Sequence, residues 1–358
     1  MSVERRWWRT RWARGGLSLA IVALVFGFFF PKIANYGAVW ETITDMTALE
    51  LSTLGAVAIW NLISYWPMLT AVQPTLRLRE AAVANLASTA VSNTMPGGGA
   101  LAIGVTMSMQ RTWGHPVSQT TLAMVVSGVW NNFVKLGLPV VALGLLALNG
   151  EAGAGLAVAA VIGLAVLVVV IGLFALLLRS DRLAAVVGRS TGIAVSALLR
   201  PLHRPAVTGW DVRAVAFRGE VIALLSRRWL RITVTSLVSH LSLFLVLLLA
   251  LRHVGVANEE VSWQLVLAAF SVVRLVSAIP ITPGGLGLVE LGLTATLGAG
   301  LPESTRNQIV AAVLVYRALT WLLPIPLGAG CWAFFRINTS WRHDVPLVPR
   351  LAPSLQAG

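Results

Sequence analysis

The sequence predicts an all-α polytopic integral membrane protein, with about six transmembrane helices and two broken, re-entrant helical segments related as an inverted repeat. Three observations predict it. Hydrophobic residues make up 57% of the 358 residues and charged residues only 11%, which leaves too little polar surface to clothe a water-soluble fold of this size. Continuous apolar runs such as Leu156–Leu178 and Ile232–Leu251 reach the roughly 20 residues that carry a helix across the hydrocarbon, whereas a membrane barrel would show short segments of alternating polarity. Two further apolar segments are interrupted by Pro-Gly-Gly.

The chain opens with a basic stretch, residues 1–16, carrying Arg5, Arg6, Arg9, Arg11 and Arg14. The apolar run Leu17–Phe30 follows. Pro31 and Lys32 come next, where a cleavage site would need small residues, so an uncleaved first span over Leu17–Ile33 is expected. A single membrane domain is expected over 17–336. Its first half, 49–148, holds a second span at Leu49–Val72, a broken segment at Leu78–Met109 and a third span at Val117–Leu148. The break is Met95-Pro96-Gly97-Gly98-Gly99. A fourth span, Gly153–Leu178, leads into a basic stretch, 179–231, whose apolar patches predict interfacial amphipathic helices. The second half, 232–336, begins with a fifth span at Ile232–Leu251. Its broken segment, Ser262–Gly300, contains Ile279-Pro280-Ile281-Thr282-Pro283-Gly284-Gly285-Leu286-Gly287. A last helix runs from Glu303 toward Arg336, with a kink expected at Pro324 and Pro326. Residues 337–358 read as a tail without regular structure.

The net charge is +13. In a soluble protein that balance would point to nucleic acid. Here the basic residues flank apolar spans, where they set topology and can hold anionic lipid headgroups, so no nucleic-acid partner is expected. With the N-terminus inside and both broken segments dipping in and returning, 21 basic residues fall inside and three outside. That asymmetry predicts cytoplasmic N- and C-termini. Arginine dominance in an Ala/Gly-rich chain suggests a bacterial source, hence a bacterial cytoplasmic membrane. The flanks of the first break are basic (Arg77, Arg79, Arg111) and those of the second acidic (Glu259, Glu260, Glu303). The half-segments Leu101–Met109 and Leu288–Gly300 would cover roughly 14 and 20 Å, short of the roughly 30 Å core, which favours re-entrance over two full spans joined by a loop.

Candidate site residues follow from this arrangement. Irregular backbone at membrane depth persists only where protein or water satisfies it. Pro96, Gly97, Gly98 and Gly99 in one break, and Pro283, Gly284, Gly285 and Gly287 in the other, stop the helix and let a ligand approach the backbone. Half-helices starting after each break aim N–H groups at mid-membrane, which suits a phosphate. Such a pair in corresponding halves points to a transporter's binding site. Arg274, Arg317 and Lys135 lie within apolar segments, where a cation faces a partner or a wet cavity. Glu290, in the first turn after the second break, either pairs with an arginine or competes with a bound phosphate. Tyr316 stands beside Arg317. Thr120, Ser127, Asn131 and Lys135 share one helix face, either as packing contacts or as a headgroup path.

Other chemistries are not encoded. Neither lysine sits in a Walker A setting, and the five histidines form no zinc motif. Gly-x-Ser-x-Gly is absent. Cys331 is the single cysteine, so no intramolecular disulfide or cysteine cluster can form. No catalytic residues, metal or cofactor are therefore expected.

Pro280-Ile281-Thr282-Pro283-Gly284-Gly285-Leu286-Gly287-Leu288-Val289-Glu290, followed by Val315-Tyr316-Arg317-Ala318-Leu319-Thr320, resembles the membrane domain of lysylphosphatidylglycerol synthases and their stand-alone flippase-like (YbhN-like) relatives. The likeness spans most of the chain and is densest between Ser271 and Gly328. It implies a non-enzymatic flippase or transporter of a phospholipid or lipid-linked glycan between leaflets, with anionic or phosphate-bearing membrane lipids as partners. The alternative is a non-transporting membrane partner of a lipid-modifying or glycosyltransferase enzyme. Two departures stand out. The aminoacyl-transferring soluble domain of the bifunctional synthases has no counterpart in these 358 residues, so lysyl transfer is not expected. The first break, where many relatives carry charge, has only small or apolar residues from Gly97 to Val105.

Overall fold

The computed structural model describes residues 44–95, 97–149, 154–200, 208–277 and 282–342. The expected N-terminal stretch and first span, Pro96, residues 278–281 of the second break and the tail from 343 lie outside the described residues. Among the described residues all regular structure is helical.

Helix α1 (Ala48–Ser64) opens with a capping box: Glu50 N donates to Thr47 Oγ1 at 3.3 Å, and Thr47 N donates to Glu50 Oε2 at 2.8 Å. Pro67 sits in the first turn of α2 (Trp66–Val72), where its missing N–H costs least. Together α1 and α2 form the expected second span. Helices α3 (Leu78–Thr94) and α4 (Gly98–Thr112) flank the first break. The third span is α5, with the expected bounds Val117–Leu148, and the fourth is α6 (Ala154–Arg179). Helices α7 (Asp181–Leu199) and α8 (Trp210–His253) follow. Helices α9 (Trp263–Val276) and α10 (Leu288–Leu297) flank the second break, around a short 3-10 turn at Pro283–Gly285. The chain ends in α11 (Glu303–Arg317), a π turn (Ala318–Leu322) and α12 (Pro324–Ile337). Five helical stretches among the described residues are long and apolar enough to cross a membrane. The protein is thus an all-α, multi-pass integral membrane protein.

Both breaks are corners of antiparallel hairpins. Gly97 turns the first corner at φ 65°, a left-handed conformation open to glycine. A Cβ on Gly98 would lie 2.6 Å from Ser92 O, so only glycine lets α4 fold back this closely on α3. Toward the far end of the same hairpin, Ala84 and Ala87 of α3 pack with Met109 of α4 and with Trp113 just after it. In the second hairpin, Gly292 of α10 abuts Val273 of α9. The four legs hold 17, 15, 14 and 10 residues. At 1.5 Å per residue the longest covers only about 25 Å, short of the roughly 30 Å hydrocarbon core.

The first hairpin packs on α12, the second between α5 and α11. Gly328 of α12 lies directly on the Leu86 backbone of α3, a close approach that a side chain would block. The largest apolar core joins α5, α8, α9, α10 and α11 through Leu138, Leu247, Phe270, Leu293 and Ile309, all buried. Helix α3 is different in kind. Its sequence is small and polar, and its packed face is alanine: Ala81, Ala84, Ala87 and Ala90.

Two elements differ in extent from the sequence reading. The basic residues 210–231 do not form a separate helix ending before the fifth span. They are the first half of α8, which runs unbroken for 44 residues. From Glu220 to His253 the chain has neither glycine nor proline, so nothing stops the helix. Helix α7 packs antiparallel along this half, with Arg218 paired to Asp181 and Gly188 against Trp210 and Ala214. The kink expected at Pro324 takes the form of the π turn. Pro324 has no N–H for Thr320 O, and the chain widens just before it: Leu323 N donates to Ala318 O, five residues back, at 2.8 Å.

Candidate functional site

Both glycine corners line one cavity of about 580 Å³. The first corner contributes Gly97, Gly98 and Gly99, the second Gly284 and Gly285. They approach each other around the π turn. Asn93, at the end of α3, donates from Nδ2 to Trp321 O at 3.0 Å, and the Gly284 Cα faces the Trp321 indole so closely that no Cβ fits between them. The widened turn therefore brings a side chain and a carbonyl to the meeting point of two hairpins that are distant in sequence.

Arg317 anchors the second corner. Its Nε donates to Glu290 Oε1 at 2.6 Å, and its Nη2 donates to Gly284 O at 3.0 Å. The guanidinium also faces the Trp321 ring at 5.5 Å. The other Glu290 oxygen, Oε2, accepts from Gly287 N at 2.8 Å and so closes the first turn of α10. Glu290 is only 2% exposed and Arg317 6%. The pair is buried, hydrogen-bonded on both sides and internally neutral.

Two other cations reach the cavity with no such neutraliser. Lys135 projects from α5 and Arg274 from α9. Among the described residues neither has a carboxylate within ion-pair distance, and the buried Arg274 Nε has no hydrogen-bond partner. No Asp or Glu is among the residues lining the cavity. An unneutralised cation at membrane depth costs about 2.5–3.5 kcal/mol on insertion scales, and an anion placed between two such cations would offset that cost. Arginine adds planar, bidentate donors that match a phosphate.

The expected polar stripe on α5 divides. Asn131 and Lys135 line the cavity; Asn131 Nδ2 donates to the Oη of Tyr65, at the junction of α1 and α2, at 2.8 Å. Thr120 and Ser127 are buried packing residues, Thr120 donating to Gln110 Oε1 at 2.8 Å. Tyr316 of α11 and Thr320 and Trp321 of the π turn complete the wall. Gly287 serves the Glu290 turn rather than the cavity wall, Pro283 stands in the corner turn itself, and Pro96 is outside the described residues. Sequence reasoning missed Asn61, Tyr65, Ser239 and His240, and the run Asn85, Thr89 and Ser92 on α3. A signal for the last three existed: spacings of four and three put them on one helix face, in a segment too polar to face lipid.

A multi-pass α-helical protein with two broken hairpins around an internal cationic cavity is the class that fold and site define. Residues 16–328 match the family described as the lysylphosphatidylglycerol synthase TM region, and the chain belongs to that family. No curated protein matches the chain.

Proposed function

We propose that this protein is a lipid flippase of the bacterial cytoplasmic membrane, moving an anionic, phosphate-bearing lipid between leaflets. In this reading the hairpins are re-entrant, one entering from each side. Their corners meet at mid-membrane, and both termini are cytoplasmic. Lys135 and Arg274 hold the phosphate, the glycine corners allow it to come close to the backbone, and the acyl chains stay in the bilayer. The supporting observation is that both corners and both unneutralised cations open onto one cavity that lacks any carboxylate. The short legs support re-entrance, and the family membership supports a membrane role linked to phospholipid.

The Glu290–Arg317 pair changes which variant is informative. Removing Arg317 would leave a buried carboxylate alone and disturb the fold. The discriminating variants are Arg274→Gln and Lys135→Gln, which keep size and polarity. In reconstituted vesicles, the double variant is expected to lose leaflet transfer of a labelled anionic phospholipid at least about tenfold, the equivalent of about 1.4 kcal/mol, while eluting and melting like the parent. Unchanged transfer by a well-folded double variant would refute the proposal. No transfer by the purified parent, together with a stable complex with a lipid-modifying or glycosyltransferase enzyme, would favour the role of non-transporting partner.

A further inference from the structure

The cavity has a second pole. Asn85, Thr89 and Ser92 line it from one face of α3. Their side chains make no hydrogen bond among the described residues, although each carries a donor and an acceptor. Helix α3 packs on α2, α4, α12 and the second corner, whereas α5, α8 and α9, which bring Lys135, His240 and Arg274, pack on one another. The two poles therefore belong to separate walls. One wall offers cationic donors. The other offers an uncharged amide and hydroxyls, free to both donate and accept.

Building on the flippase reading, we infer that the substrate is a phosphodiester lipid whose terminal group is uncharged and hydroxyl-rich, such as a glycerol, inositol or sugar, and not an aminoacylated one. The phosphate sits between Lys135 and Arg274, and the hydroxyls exchange hydrogen bonds with Asn85, Thr89 and Ser92. A lysyl ester would bring two ammonium groups into a space with no available carboxylate. Glu290 already gives one oxygen to Arg317 and the other to Gly287. Lys135 and Arg274 would repel the ammoniums, and the α3 wall has no charge to offset this.

Calorimetric titration of the full chain in detergent micelles tests the assignment apart from transport. The probes are dioctanoyl phosphatidylinositol, phosphatidylglycerol, lysyl-phosphatidylglycerol and phosphatidic acid, with soluble glycerol phosphate as the headgroup alone. Phosphatidylinositol and phosphatidylglycerol should bind at least about tenfold tighter than the lysyl ester, the scale of one or two hydrogen bonds and a charge repulsion. Asn85→Ala with Thr89→Ala should remove the advantage of phosphatidylinositol over phosphatidic acid. Arg274→Gln should weaken all four lipids. Equal or tighter binding of the lysyl ester overturns the assignment, as does an undiminished inositol preference in the double α3 variant. Glycerol phosphate binding as tightly as phosphatidylglycerol overturns the lipid as ligand. Leaflet transfer is read separately in vesicles. The expected binding order without transfer upholds the headgroup assignment and removes the flippase reading. Transfer with a lysyl preference does the reverse.

Discussion

Glu290 shows how one carboxylate can hold a local turn and a tertiary contact together. Its backbone lies in the first turn of α10, one oxygen caps that helix, and the other takes Arg317 from α11. Breaking a buried pair from one side leaves an uncompensated charge, at a cost of about 3–5 kcal/mol. Arg317→Met is therefore expected to lower the unfolding temperature in detergent markedly, and Arg317→Met with Glu290→Leu to recover much of the loss. A double variant no more stable than the single one would show that the pair is not the anchor. The arginines were legible in the sequence because a cation inside an apolar run is costly and so signals a partner or a cavity. Which arginine was paired was not legible. That depends on α11 passing beside the second corner, and Glu290 could have reached either residue from its place in the chain.

At the scale of elements, the two corners respond differently to added bulk. A methyl group at Gly284 would meet the Trp321 indole, a side chain that can be shortened. At Gly98 it would meet the Ser92 backbone, which cannot. Gly98→Ala is expected to open the first hairpin, with lost stability that no neighbouring truncation restores. Gly284→Ala is expected to be partly rescued by Trp321→Ala, leaving the cost of its positive φ, roughly 1 kcal/mol or somewhat more. Thermal melts of the three variants check both statements. The hairpins themselves were readable because Pro-Gly-Gly inside an apolar segment ends a helix whatever surrounds it. The length of α8 was misread for the opposite reason: charge ended the apolar span at residue 231, but charge does not end a helix, and no proline stands between residues 210 and 253 to do so. The π turn at 318–322 was placed by proline yet not typed, since a missing N–H breaks the regular ladder without saying whether the chain narrows or widens before it.

For the whole molecule, re-entrance can be separated from a pair of complete spans by chemistry at the corners. Both arrangements return the chain to its starting side, so flank labelling is silent. In a Cys331→Ala background, Gly99→Cys and Thr282→Cys stand at the two corners and are exposed to the cavity. A bulky impermeant maleimide should fail to label either from the side opposite its own flanks, while a small thiosulfonate should reach both. Full labelling by the bulky reagent from that opposite side would place the corners in bulk solvent and remove the central cavity from the bilayer. The overall plan, helices with an interrupted segment in each half, followed from hydropathy and proline alone. The convergence of the two corners on one space did not, because it arises from contacts between segments nearly 190 residues apart in sequence.

Helix α8 gives this plan a mechanical side. Its 44 residues make a rod about 66 Å long, more than twice the thickness of the hydrocarbon. Ser239 and His240 in its apolar half form part of the cavity wall, while its other half carries five arginines and is braced by α7. A stiff rod transmits tilt along its length. Pivoting by about 10° at the midpoint would carry each tip sideways by about 6 Å, roughly one helical turn of rise.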